Sequence, residues 1–154
     1  MNLTVIKPGF QDLVQDLGRD GYTHLGISPT GAADKASMKV ANLLLGNSVN
    51  DPVIEITLFG GSYSFDRTTT ICLAGSHFPA SNKGKEIPFL KPVAVKQGDI
   101  LTISGSTSGA RCYLAIQNGF NVAKLLESSS THLMSKSGGY RGRNLELNDR
   151  IPFN

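Results

Sequence analysis

The chain has 154 residues, with 15 basic and 12 acidic side chains and a formal net charge of +3. Hydrophobic residues make up 40% and charged residues 18%, a globular composition too poor in charge for a coiled coil or a long solvated helix bundle. The length suits one domain over 1–154, the mild basic excess carries no stripe of the kind that binds nucleic acid, and no apolar run is long enough to cross a membrane.

The first eight residues lack the basic start and apolar block of a signal peptide, so the expected compartment is the cytoplasm. Leu3–Ile6 reads as a strand stopped by Pro8-Gly9. Residues 16–34 are turn-rich, punctuated by Gly18, Gly21, Gly26, Pro29 and Gly31, and a loop of that length usually carries a binding surface. Met38, Ala41, Leu44 and Leu45 follow helical spacing, which predicts a helix over about 33–45, begun by Thr30 or Asp34 and stopped by Gly46-Asn47.

From residue 53 the period becomes two. Ile54, Ile56 and Leu58 alternate with Glu55, Thr57 and Phe59. Strands follow at Tyr63–Phe65, Thr69–Ala74, Val93–Val95, Ile100–Ser104 and Arg111–Ile116, and Asn82-Lys83-Gly84-Lys85 reads as a hairpin turn. This spacing predicts a mainly β domain, a barrel or a sandwich, with the helix over an open end. A second short helix is expected over Asn121–Leu126, capped by Asn121. The chain closes on a turn at Asn148-Asp149 and the start of a strand. Cys72 and Cys112 show no metal-binding spacing and read as two buried thiols in a reducing compartment.

Candidate chemistry lies in two polar loops. In the first, Arg19 can fork onto a carboxylate or phosphate, His24 can move protons near neutral pH, and Asp34 can orient that imidazole or accept an N–H. The competing reading pairs Arg19 with Asp34 and turns His24 onto a backbone carbonyl. Glu55 is an exposed side chain if its strand is half solvated, which is the favoured reading, and a paired site residue if both faces are covered. In the second loop, Lys124, Lys136, Arg141 and Arg143 lie among Ser and Gly, which suits either an anion site or a solvated loop. His77 and His132 read as incidental. No Walker loop, Gly-x-Ser-x-Gly elbow or His-Glu-x-x-His motif is present.

The string Asp16-Leu17-Gly18-Arg19-Asp20-Gly21-Tyr22-Thr23-His24-Leu25-Gly26, followed by Thr30-Gly31-Ala32-Ala33-Asp34, resembles the opening signature of the 5-oxoprolinase C-type subunit family. That family is also called KipA, allophanate hydrolase subunit 2 or the biotin-dependent carboxyltransferase domain. Ala41–Asn47, Ile54–Leu58 with Gly60, Ala74-Gly75, Gly109–Ala115 and Gly138-Gly139 with Gly142-Arg143 match in order, over nearly the whole chain. Asp20 stands where the family has Pro, Thr30 where it has Ser, and Asn118-Gly119 where it has Gly-Gly. Glu127-Ser128-Ser129-Ser130-Thr131 replaces a Gly-Ser-Arg-Ser-Thr-like run. Family members run on into a second, cyclophilin-like β domain, so the chain resembles their N-terminal half.

The resemblance implies a carboxyltransferase-type domain that works with two partner proteins on a small amide or lactam. One partner is a B-type subunit, similar to KipI or allophanate hydrolase subunit 1, and the other is a lactam-recognising A-type subunit. The leading expectation is ATP-dependent opening of 5-oxoproline to glutamate, with ATP used at the level of the complex. The alternatives are biotin-dependent carboxyl transfer to urea and a non-catalytic regulatory partner. Under the resemblance His24 and Asp34 would be catalytic, and Arg19, Tyr22, Thr30, Gly31 and Glu55 would bind substrate. Ser128, Thr131, Arg141 and Arg143 would bind an anion. No metal and no nucleic acid or membrane partner is implied.

Overall fold

A computed structural model describes all of residues 1–154. Eleven strands form two antiparallel sheets. The strands are β1 (Asn2–Lys7), β2 (Gln11–Gln15), β3 (Val53–Thr57), β4 (Ser62–Phe65), β5 (Thr69–Gly75), β6 (Ala80–Asn82), β7 (Lys85–Glu86), β8 (Val93–Val95), β9 (Ile100–Ile103), β10 (Arg111–Ile116) and β11 (Arg150–Pro152). The only α-helix, α1, spans Lys35–Leu44, and a 3-10 turn covers Thr23–Leu25. The larger sheet has the order β11-β1-β4-β9-β6-β7 and the smaller β2-β3-β10-β5-β8.

Alternation builds the core between the sheets. Leu3, Val5, Tyr63, Phe65, Leu101 and Ile103 come from one sheet, and Ile54, Ile56, Ile71, Leu73, Cys112, Leu114 and Ile116 from the other, into one buried cluster. Each such aliphatic side chain contributes about 1.5–3 kcal/mol on burial. The β6–β7 hairpin turns through Lys83 at φ 51° and Gly84 at φ 76°, the left-handed pair that matches strand twist in a two-residue turn. Cys72 and Cys112 are buried and unpaired, and burial raises the Cys72 thiol to about 11.

Helix α1 starts where Asp34 accepts the Ser37 N–H at 3.0 Å, satisfying one free donor of the first turn. Its Met38 and Ala41 pack on Val53, Ala74, Tyr113 and Ala115, the outer face of the smaller sheet. The small residues let the helix approach closely. Because α1 and its preceding loop cover that face, β3 is buried at all five positions.

Two expectations change, and the choice between barrel and sandwich is decided. The sheets are open, each with two edge strands, so the fold is a two-sheet sandwich and not a closed barrel. Asn121–Leu126 is not a helix: the Asn121 N–H bonds Pro152 O, Leu125 bridges Ser128, and Leu126 and Glu127 both take positive φ. Tertiary pairing with β11 overrides the local helical composition. Glu55 is 4% exposed, because both faces of its strand are covered.

Candidate functional site

The residue that organises both polar loops is Asp16, 1% exposed at the end of β2. Its Oδ1 accepts from Gly18 N at 2.8 Å, Ser128 Oγ at 2.6 Å and Ser130 Oγ at 2.5 Å, and its Oδ2 from Ser129 N at 2.6 Å. Ser128, Ser129, Ser130 and Thr131 are each at most 3% exposed. The serine run therefore folds around an anion that the chain itself supplies. Thr131 Oγ1 donates to Val14 O at 2.8 Å, so neither Ser128 nor Thr131 presents a free hydroxyl to an outside anion.

Arg19 lies against this knot, 3% exposed. Its Nε donates to Leu125 O, its Nη1 to Thr30 Oγ1 at 2.7 Å and its Nη2 to Ser130 O at 2.8 Å. These contacts use three of the five guanidinium N–H groups and leave two without a protein partner. Arg19 does not pair with Asp34. Thr30 passes its own proton to Pro29 O and holds φ at 52°. Gly31 belongs to the packing of this loop: a Cβ there would lie 2.8 Å from Gly18 N and Leu17 O. Gly138 lets the second loop approach Arg19, since a Cβ on it would meet Ser130 O and stand 2.7 Å from Arg19 Nη2.

Between the two loops lies a pocket of about 350 Å³. Arg19, His132, Ser28, Ser135 and Ser137 supply its polar lining, and Ile27, Leu125 and Leu126 an apolar wall, with no acidic residue among the lining groups. His132 Nδ1 is 2.6 Å from Ser135 Oγ, which is 2.6 Å from Ser137 Oγ. Sequence reasoning misses this cluster, because an isolated His carries no motif. The spacing His132-x-x-Ser135-x-Ser137 across one tight turn is the signal that could have found it.

The remaining expected site residues lie elsewhere. His24 and Tyr22 sit at the 3-10 turn, His24 exposed and Tyr22 half-buried, and neither lines the pocket. Asp34 is exposed and committed to the helix cap, where the Ser37 hydroxyl and N–H hold its carboxyl below the usual range. Glu55 Oε2 accepts from Ala33 N at 2.7 Å and Tyr113 Oη at 2.8 Å, and Tyr113 Oη accepts from Asp34 N at 2.7 Å. Burial, then the charge of Glu55, pushes the Tyr113 phenol well above its ordinary value. Arg111 Nε stands 3.7 Å from Glu55 Oε1, a long ion pair. This network ties the 30–34 loop to the sheet. Arg143 grips Asp149 with both Nη atoms at 2.7 and 2.9 Å, while Arg141 is 3.9 Å from Asp149 and largely exposed. Arg141 and Arg143 line a second, shallower basic depression with Lys136. No group of three His, Cys, Asp or Glu side chains is placed to hold a metal ion, and no helix is long and apolar enough to cross a membrane.

A two-sheet domain with one covering helix has known counterparts. The family model for the carboxyltransferase domain, subdomain A and B, matches residues 25–154, and the chain belongs to that family. It is 42% identical over 148 residues to urea amidolyase of Saccharomyces cerevisiae, a match that spans 96% of the chain and 8% of that protein. It is 36% identical over 151 residues to the C-type subunit of 5-oxoprolinase from Escherichia coli, spanning 98% of the chain and 49% of that protein. The crystal structure of Kluyveromyces lactis urea amidolyase superposes with a TM-score of 0.97 at 38% identity, covering 99% of the chain and 9% of that structure. The chain thus spans about half the length of the 5-oxoprolinase relative and under a tenth of the urea amidolyases.

Proposed function

We propose that this chain supplies the polar-loop half of a carboxyltransferase-family site that takes 5-oxoproline, in an ATP-dependent lactam-opening complex with A-type and B-type subunits. The observation that carries the reading is the pocket lining: Arg19 and His132 with no carboxylate, beside Ile27, Leu125 and Leu126. 5-Oxoproline is an anion with an apolar ring edge. Its carboxylate suits the two free N–H groups of Arg19, which is the residue type best shaped for a carboxylate. Its methylenes suit the apolar wall, and its planar lactam is left facing the hydroxyls of the 132–137 turn. The likeness to the 5-oxoprolinase relative over 98% of the chain supports the same choice.

A second reading is biotin-dependent carboxyl transfer to urea, favoured by the higher identity to urea amidolyase. Urea is neutral and has no use for a carboxylate-binding arginine, although the bicarbonate-derived group would. Calorimetric titration of the chain, assembled with its partner proteins, against 5-oxoproline and urea separates the two. Binding of 5-oxoproline that weakens with salt is expected. Binding of urea with none of 5-oxoproline selects the second reading.

A further inference from the structure

Backbone hydrogen bonds close the turn from His132 to Ser137 on itself. His132 N donates to Ser137 O at 2.8 Å, Ser137 N to His132 O at 3.2 Å and Lys136 N to Leu133 O at 3.2 Å. None of its residues joins either core cluster, and Met134 at its tip is 91% exposed. Burial therefore does not account for its conformation. What the turn does is line up an imidazole and two hydroxyls, each 2.6 Å from the next, with His132, Ser135 and Ser137 all on the pocket that Arg19 shares. His77 offers the contrast: its Nδ1 also meets a hydroxyl, Thr107 Oγ1 at 3.0 Å, but that hydroxyl turns back to His77 O and the ring packs on Phe89, away from any pocket.

We propose that His132, Ser135 and Ser137 form a proton relay that delivers a proton to the nitrogen of a small amide or lactam held on Arg19. The proposal rests on the reading of the pocket as a lactam site. Water adds to the carbonyl carbon, and the C–N bond breaks with its electron pair going to nitrogen. Ser137 Oγ–H gives its proton to that nitrogen, Ser135 Oγ–H reprotonates Ser137, and the His132 imidazolium reprotonates Ser135. The proton lost by the attacking water restores the imidazolium, so the net change is addition of water across the amide bond. A hydroxyl chain suits this task because each oxygen both donates and accepts, and an imidazole carries protons on two distinct ring nitrogens.

Two readouts test the relay. In the free chain, 15N-imidazole spectra of His132 should report Nδ1 engaged with a hydroxyl, and Ser135→Ala should move that signal; an unmoved signal overturns the relay whatever the substrate. In the assembled complex, His132→Ala, Ser135→Ala and Ser137→Ala should each lower turnover by about 10²-fold or more, the scale of general acid catalysis, and by far more than they weaken 5-oxoproline binding. Wild-type turnover in any of the three, or loss of affinity in step with turnover, overturns the relay. A wild-type complex that neither binds nor opens 5-oxoproline overturns the substrate reading beneath it, and the relay with it.

Discussion

Replacing Asp16 with alanine tests whether one buried carboxylate holds the second polar loop in place. The substitution removes the acceptor for Gly18 N, Ser129 N, Ser128 Oγ and Ser130 Oγ. The Ser129 N–H cannot turn away, and a buried donor left without a partner costs about 1–3 kcal/mol. The two hydroxyls can re-aim, so each loses about 0.5–1.5 kcal/mol, the net worth of an ordinary hydrogen bond. Relief of the buried charge offsets part of this, and the expected loss is about 2–4 kcal/mol. Against a total stability of about 5–15 kcal/mol that is a large fraction, and at about 2–4 °C per kcal/mol it lowers Tm by about 10 °C. Urea unfolding followed by circular dichroism measures it, with the slope unchanged if the native state alone is affected. Asp16→Asn keeps the shape and one acceptor oxygen, and should lose less, about 1–3 kcal/mol. A loss below about 1 kcal/mol in Asp16→Ala would refute the claim that the serine run is anchored on this side chain.

Three further outcomes are expected. Asp34→Ala should cost about 1 kcal/mol, the worth of a helix cap, and leave turnover of the assembled complex unchanged; a large fall in turnover would restore the proton-handling role that the family resemblance implies for it. Glu55→Ala should cost about 3–5 kcal/mol because it orphans Ala33 N and the buried Tyr113 hydroxyl, whereas Glu55→Gln keeps an acceptor and should cost under about 2 kcal/mol. The carboxyls of Asp34, Asp66 and Asp99 titrate below the usual range because of their hydrogen bonds from Ser37, Asn2 and Lys83 respectively. Burial works against the charge of Asp149, but hydrogen bonds from Arg143 and Glu146 N outweigh it and lower that carboxyl too. A lowered carboxyl stabilises the fold above the ordinary aspartate range near about 4 and loses that contribution as pH falls through its folded value. Denaturation midpoints should hold between pH 7 and about 5 and drop below about 4. Asp12 acts in the opposite sense, since burial raises its carboxyl, and Asp12→Asn should steepen that drop rather than flatten it.

Legibility in the sequence followed the strength of local signals. β8 and β10 are read correctly to the residue because an alternating run ends at turn residues on both sides. The helix is legible because Met38 and Ala41 share a face and Asp34 and Gly46 mark its limits. β2 escapes notice because Asp12 and Gln15 are polar yet buried, which erases the alternation that marks a half-solvated strand. Glu55 reads as exposed from its strand alone, and only the tertiary cover by α1 and residues 30–34 decides otherwise. The serine run reads as part of an anion site, and in the fold Ser128, Ser129 and Ser130 close on the carboxylate of Asp16, 112 residues away from Ser128 in sequence. Arg19 and Thr30 are picked out by the family resemblance and do meet, whereas His132 acquires meaning only when its turn closes against Arg19.

The most direct measurement is 5-oxoproline-dependent ATP hydrolysis by this chain mixed with the A-type and B-type subunits of 5-oxoprolinase, with a full-length C-type subunit for the positive control. Turnover that vanishes when the chain is omitted is the expected result, with Arg19→Gln raising the KM for 5-oxoproline. Turnover that is indifferent to the chain, or a mixture that responds to urea and bicarbonate but not to 5-oxoproline, would contradict the account.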